Sequence, residues 1–172
     1  MNEFQQTRLD HAALSFRIVG IPKSKGSLSP FIQWIDGKPQ ARVMEKKSGS
    51  ARRALDEWRK VCGRVFKQAA GHASRFGLVR GRYLQPVAVT CQFSLPRPKS
   101  APSYVEAPTT YPDIDKLTRV ILDELRLWIL TDDRQIVDVH ATKVYADTDS
   151  GDIIGAIVRI RPCDPPEKER WT

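Results

Sequence analysis

"YPDIDKLTRVILDELRLWILTDDRQIVDVHATKVY", residues 111–145, combines a helical and a strand-like pattern of apolar side chains. In its first half, apolar side chains recur at three- and four-residue steps, as on one face of an α-helix: Leu117, Val120, Ile121 and Leu125. In its last part, alternate positions share one side of a strand: Val137, Val139, Ala141, Lys143 and Tyr145. The stretch therefore predicts a helix that starts just after Pro112, followed by a strand.

Outward from this stretch, the same periodicities predict three more strands, a hairpin and a second helix. The strands lie in "ALSFRIVGIP" (13–22), "PVAVTCQFSL" (86–95) and "DIIGAIVRIRP" (152–162). Asp36-Gly37 is a tight-turn signal between two apolar-containing arms, and residues 51–70 carry one apolar helical stripe. This mixture predicts an α+β fold, with a single domain over residues 14–162, a mixed β-sheet packed with helices on one side, and short tails at 1–13 and 163–172.

The composition favours a polyanionic partner. The 172 residues include 28 Lys and Arg against 20 Asp and Glu, a formal net charge of +8. This excess suits DNA, RNA or an anionic membrane surface, although a basic surface that is indifferent to DNA would give the same count. Residues 71–83 mix Gly with Arg75, Arg80 and Arg82 and show no period, which predicts a loop whose cations are within reach of phosphates.

Cysteine usage and hydropathy indicate where the protein works. Cys62, Cys91 and Cys163 lie far apart and form no C-x-x-C pair, which is typical of free thiols in a reducing compartment. No apolar run approaches the roughly 18 residues of a membrane span, and the N-terminus lacks the apolar core of a signal peptide. We therefore expect a cytoplasmic protein with no membrane partner.

Two acidic pairs stand out in this basic chain: Asp113 with Asp115 before the predicted helix, and Asp132 with Asp133 before the predicted strand. Taken singly, an Asp before a helix is often an N-cap, and an Asp-Asp pair is often a turn. Taken together, they permit convergence. The helix would rise roughly 20 Å at about 1.5 Å per residue, and "RLWILTD" can span roughly 20 to 23 Å if extended. The chain can therefore return and set Asp133 beside the first pair.

Converged carboxylates would repel one another unless a hard cation neutralised them, and oxygen ligands suit Mg²⁺, with Mn²⁺ as a possible substitute. Beside a phosphodiester, such an ion polarises the phosphoryl oxygen and lowers the pKa of an attacking water. Lys143 lies on the same side of the predicted strand as Val137 and Val139. Its ammonium would there face acid or phosphate or, equally, extend to water. Arg119 lies one helical turn after Asp115, where it would hold the scissile phosphate or form an ordinary ion pair.

These residues resemble the RusA family of Holliday-junction resolvases, Mg²⁺-dependent endonucleases common in phages and prophages. The family pattern runs roughly P-D-x-D-N-L-x-K, then L-D-A-L, then D-D-x-Q-V and a strand bearing a Lys. Here it reads "PDIDKLTRVILDEL" and "DDRQIVDVHATK". The resemblance implies that Asp113, Asp115 and Asp133 bind the metal and that Lys143 is the strand Lys. Asp132, just before the last of these aspartates, is the fourth expected metal ligand.

The chain departs from that pattern at two positions. Lys116 stands where the family has Asn, and Arg119 stands where it has Lys. An extra cation beside the acidic cluster is expected to weaken metal binding. Because Arg stays protonated, Arg119 can stabilise charge but cannot donate a proton.

We therefore expect a homodimeric, Mg²⁺-dependent endonuclease that cuts four-way junctions or other branched DNA. The dimer is implied by the resemblance and by the symmetric strands that a junction offers to a two-fold protein. The expected catalytic residues are Asp113, Asp115, Asp133, Arg119 and Lys143. Three alternatives stay open: a DNA-binding module without cleavage, an RNA-processing nuclease, and a structural protein whose acids only cap and turn.

Overall fold

Six strands, two α-helices and one short 3₁₀ helix form the part of the chain that the computed structural model describes, residues 13–26, 28–45, 49–72, 78–102, 104–105, 107–147 and 151–163. The strands are β1 Leu14–Val19, β2 Leu28–Ile35, β3 Lys38–Glu45, β4 Val87–Leu95, β5 Ile136–Tyr145 and β6 Gly155–Pro162. The helices are α1 Gly49–Gly71 and α2 Ile114–Trp128, and the 3₁₀ turn is Asp133–Gln135. All of the predicted strands and helices are present, whereas nearly all of the two predicted tails lies outside the described residues.

Four of the strands form one mixed sheet in the order β1-β6-β4-β5. β6 pairs antiparallel with both β1 and β4, whereas β4 pairs parallel with β5. Every second side chain of β4, from Val87 to Leu95, is buried, because that face of the sheet lies under the helices. The predicted α+β architecture with a mixed sheet is therefore confirmed.

Helix α2 connects the parallel strands β4 and β5, which no tight turn can join. Its predicted apolar stripe is fully buried: Leu117, Val120, Ile121 and Leu125. Helix α1 packs beside α2 and against β1, and Phe66 of α1 meets Phe16 of β1 edge to face, with 5.0 Å between ring centroids. Alternate residues of β1 are buried and exposed, so the helices cover one face of the sheet, as the sequence predicts.

The hairpin predicted at Asp36-Gly37 is confirmed. Within the described part of the chain, strands β2 and β3 pair with each other alone, as a separate two-stranded sheet. The two turn residues have φ values of 52° and 72°. A type I′ turn needs positive φ at both central positions, and Asp-Gly is one of the pairs that tolerate it.

Arg82, in the predicted loop, closes the C-terminal end of α2. Its guanidinium donates to the carbonyl oxygens of Arg126 and Leu127 at 3.0 and 2.8 Å, and also to that of Leu130. Carbonyls at the end of a helix lack partners within it, so this contact satisfies them. Arg82 therefore serves the fold, Arg80 is exposed, and the third arginine of the loop lies outside the described residues.

The described cysteines form no disulfide, and Cys62 and Cys91 are fully buried. Burial raises the pKa of the Cys91 thiol to about 12 and raises the pKa of Cys62 as well. Neither thiol therefore ionises near neutral pH. No helix within the described ranges is long and apolar enough to cross a membrane.

Candidate active site

Asp113 and Asp115 stand at the start of α2, one just before the helix and one in its first turn. Asp113 is the N-cap residue, with φ −68° and ψ 138°, and its carbonyl accepts the Leu117 N–H at 3.1 Å. Its carboxylate makes no capping hydrogen bond and instead accepts from Lys116 Nζ at 2.5 Å. Both carboxylates are exposed, so they are accessible to a substrate or a cation.

Lys116 acts as the counter-ion of Asp113. The Lys116 hydrogen bond and charge, helped by the charge of Lys143, hold the pKa of the Asp113 carboxyl below its ordinary value. The same hydrogen bond raises the pKa of Lys116. Asp113 is therefore ionised at neutral pH and already binds a cation, in this case an ammonium group.

Lys143 fixes the segment that leads into Asp113. It lies on β5 opposite Phe93, and its Nζ donates to the carbonyl oxygens of Thr110 at 2.8 Å and Pro112 at 2.9 Å. Strand parity predicts that this ammonium faces acid or phosphate or, equally, extends to water. The structure gives it two carbonyls next to an acid, so Lys143 positions Asp113.

Asp115 and Arg119 lie on the rim of an open groove between α2 and the edge strand β5. The rest of the groove is mostly apolar: Ile114, Thr118, Leu122, Val139 and Ala141. Arg119 is exposed, and over the described part of the chain it forms no ion pair with Asp115 or another carboxylate. The ordinary i, i+4 ion pair is therefore not formed, and the guanidinium can accept an anion.

Asp132 belongs to the turn before β5. Its carboxylate accepts the Arg134 guanidinium at 2.9 and 3.2 Å and the Arg134 backbone N–H at 2.9 Å. The side-chain hydrogen bond from Arg134 is the main reason that the pKa of Asp132 is well below its usual range. Gln135 Oε1 accepts the Asp132 N–H at 3.0 Å and completes the cap. Asp132 thus holds the turn that presents the exposed Asp133.

The structure does not bring Asp133 to Asp113 and Asp115 within one chain. Asp133 precedes β5, whereas Lys143, near the far end of that strand, contacts the segment of Asp113. The strand between them spans about 23 Å at roughly 3.3 Å per residue, and α2 is about 22 Å long. No three His, Cys, Asp or Glu side chains in the described ranges form a metal-binding group. The expectation of convergence in one chain is therefore wrong, although each of these residues stays a candidate.

Convergence fails because the chain turns at the C-terminal end of α2. The Leu130 N–H bonds to the Leu125 carbonyl at 2.9 Å, and Leu130 pairs with Tyr83 in a parallel bridge. Gln135 Nε2 then donates to the carbonyl oxygens of Tyr83 and Gln85 at 3.0 and 3.3 Å. These bonds anchor the start of β5 at that end of the helix. Tyr83 and Gln85 lie 52 and 50 residues from Gln135 in the sequence, so no local pattern predicts these bonds.

The segment after β1 braces the acidic end of α2, a role that sequence reasoning missed. The Lys25 N–H donates to the Lys116 carbonyl at 3.3 Å, and the Lys25 ammonium pairs with Asp123. Ser24, which is fully buried, donates through Oγ to Tyr111 Oη at 2.8 Å. This segment leads directly into β2, so the base of the hairpin lies beside the acidic pair.

A basic α+β chain that exposes carboxylates beside lysines fits the class of nucleases that act on phosphodiester bonds. The protein-family model described as "Endodeoxyribonuclease RusA" matches residues 36–154, well over half of the chain. The chain therefore belongs to the RusA family of endodeoxyribonucleases, which hydrolyse phosphodiester bonds and resolve DNA junctions. The resemblance of residues 111–145 is confirmed, and the match extends upstream through α1. A search of curated proteins finds no match.

Lys143→Met should loosen the segment before Asp113, because it removes two hydrogen bonds from an ammonium group while preserving the length of the side chain. We expect the free energy of unfolding, measured with urea, to fall by about 1–2 kcal/mol, and amide hydrogen exchange to accelerate at Thr110 and Asp113. Lys99→Met, at an exposed turn residue, is the control and should stay within about 0.5 kcal/mol of wild type. Unchanged exchange in Lys143→Met would contradict the positioning role.

Proposed function

We propose that this chain is a homodimeric, Mg²⁺-dependent endonuclease of the cytoplasm that resolves four-way junctions and other branched DNA by phosphodiester hydrolysis. The observation that carries the proposal is the exposed pair Asp113 and Asp115 at the start of α2, beside Lys116, Arg119 and Lys143, in a chain of net charge +8. Cations of this surface attract the phosphate backbone. The carboxylates on the same surface repel phosphate, so alone they would oppose DNA binding. Their presence is explained if they hold a metal ion against the phosphate.

The donor set fits a hard divalent cation. Carboxylate oxygens are the ligands that Mg²⁺ and Mn²⁺ prefer, and Asp113 already binds the ammonium of Lys116. The proposed ligands are Asp113, Asp115 and Asp133, while Asp132 holds the turn that carries the last of them. When bound, the ion polarises the phosphoryl oxygen and lowers the pKa of the attacking water. Mn²⁺ is the expected substitute.

A second copy of the chain supplies the missing ligand in this proposal. β5 is an edge strand, its Val137 and Val139 are 38% and 44% exposed, and the groove between it and α2 is mostly apolar. An exposed apolar edge of this kind favours association. Asp113 and Asp115 lie at one end of this face, so a two-fold axis through its middle would bring Asp133 of the partner subunit beside them. Each active site would then use ligands from both subunits.

Mixed dimers test this composite site. Asp115→Asn and Asp133→Asn should each abolish cleavage of an end-labelled four-way junction while leaving binding intact or tighter, because each loses a metal ligand and a negative charge. In a dimer of one Asp115→Asn and one Asp133→Asn subunit, one site lacks both carboxylates and the other retains all of them. Random mixing should therefore restore about a quarter of the wild-type active sites, counted by burst amplitude on a denaturing gel.

Each variant mixed with itself is the control and should stay inactive. Absence of restoration in the mixed dimer would place the sites within single chains. If the wild-type protein bound the junction but did not cut it with Mg²⁺ or Mn²⁺, the chain would instead be a DNA-binding module without cleavage.

Arg119 is proposed to stabilise negative charge on the phosphoryl oxygens, because it lies beside Asp115 with its guanidinium exposed. Arg119→Ala should lower the single-turnover rate on a junction by about 10²-fold, and Arg119→Lys should retain most of the activity because the charge persists. Arg126→Ala, at an exposed position in the last turn of the same helix, is the matched control and should cleave at the wild-type rate. Near-normal cleavage by Arg119→Ala would remove Arg119 from the site.

Lys116 should compete with the metal ion, because its ammonium must leave Asp113 before the carboxylate can bind a cation. Lys116→Asn should therefore bind Mn²⁺ about fivefold more tightly in calorimetric titrations without DNA. Lys60→Asn is the matched control, since Lys60 pairs with Glu57 at 2.8 Å across the same i, i+3 spacing on α1. An affinity unchanged by Lys116→Asn would show that this ion pair does not oppose metal binding.

A further inference from the structure

The hairpin of β2 and β3 exposes large apolar side chains on a projecting ribbon. Ile32 and Trp34 are 68% and 69% exposed, and Phe31 is 38% exposed. Of the described side chains from residue 30 to 42, all are exposed except that of Ile35, which is half-buried. A two-stranded ribbon alone is marginally stable in water, so exposure on this scale indicates a surface built to contact another molecule.

The strand register divides the ribbon into two different faces. Trp34 lies opposite Pro39, and Ile32 lies opposite Ala41, so these four side chains share one face, which is apolar. On the other face, Gln33 lies opposite Gln40, Phe31 opposite Arg42, and Ile35 opposite Lys38. The ribbon is thus amphipathic, with cations confined to one side.

The ribbon starts beside the candidate active site. Lys25, whose N–H bonds to the Lys116 carbonyl, lies just before β2. From there the eight residues of β2 reach about 26 Å at roughly 3.3 Å per residue. A strand of DNA held at Asp113 and Asp115 would therefore lie within reach of the ribbon.

The charges of the ribbon favour DNA over a second copy of the chain as its partner. Within the described side chains of residues 30–42, the polar face carries Lys38 and Arg42, and the single carboxylate, Asp36, lies at the turn. A face with cations and amides suits phosphates. An apolar face suits bases that have lost their stacking partners, such as those at an open branch point, because apolar side chains placed against a base replace part of the lost stacking. A subunit contact would use the apolar face but would give the cations no role.

We propose that this hairpin is a branch-point wedge: Ile32 and Trp34 pack against unstacked bases, while Lys38 and Arg42 contact the flanking phosphates. The proposal rests on the proposed function, in that it names the element that recognises the branch. It explains selectivity for branched DNA without base-specific contacts, because a linear duplex keeps its base pairs stacked and offers no such apolar surface.

The test compares binding to an immobile four-way junction and to a linear duplex, both without divalent metal so that no strand is cut. Trp34→Ala should weaken junction binding by about tenfold, as expected for loss of one base-stacking contact, and should change duplex binding by less than about twofold. Trp34→Phe should restore most of the junction affinity. Leu84→Ala, which truncates a side chain that is 62% exposed outside the hairpin, is the control and should have no effect.

Four results would overturn the wedge. Equal weakening for junction and duplex would make the hairpin a general DNA contact. Unchanged junction binding by Trp34→Ala, alongside normal junction selectivity of the wild type, would remove the hairpin from recognition and leave the proposed function intact. Dissociation of the Trp34→Ala dimer in light scattering would make the hairpin a subunit contact. If the wild type itself showed no preference for the junction, the proposed function would fail with the wedge.

Discussion

Burial of the apolar stripe of α2 against the sheet sets the positions of both acidic groups of the candidate site. The helix lies in the connection between β4 and β5, and its four stripe residues are completely buried. Each such aliphatic side chain contributes on the order of 1.5–3 kcal/mol, so together they are comparable with the whole stability of a typical domain. This packing fixes the helix axis. The acidic pair must then lie at one end of the axis and Asp133 at the other.

Asp113, at the start of α2, and Glu124, in the C-terminal half of the helix, have opposite environments. Asp113 is exposed, and Lys116 lowers its pKa, so its charge is available to a ligand. Glu124 is 7% exposed, and loss of hydration raises its pKa although Arg59 lies 3.8 Å away. The pairing of an exposed carboxylate with a movable ammonium is weak by comparison with a buried pair. A cation from solution can therefore replace the ammonium at Asp113, whereas the charges between the helices belong to the fold.

Periodicity was enough to predict the secondary structure, because the strands and helices keep one face against the core and Asp-Gly fits only a narrow class of turn. The separation of the acids could not be predicted in the same way. Convergence requires residues 126–132 to be extended, but α2 continues to Trp128 and the chain then turns through contacts with Tyr83. The hydrogen-bond partners of Lys143 could not be predicted either, because they are backbone carbonyls 33 and 31 residues upstream. Residue type identified the acids, but only the tertiary contacts determine which of them can meet.

The position of β6 between β1 and β4 has a consequence for synthesis of the chain. Among the described strands β1 is made first, yet its sheet partner β6 is made after all the others. Until β6 is complete, β1 and β4 lack the strand that lies between them in the sheet. Their apolar faces are then exposed in an incomplete sheet. Such long-range pairing slows folding and exposes incomplete sheets to aggregation. A chain cut short within β6 would therefore be able to form its helices but not to close this sheet, so the fold depends on β6 although none of the candidate catalytic residues lies in it.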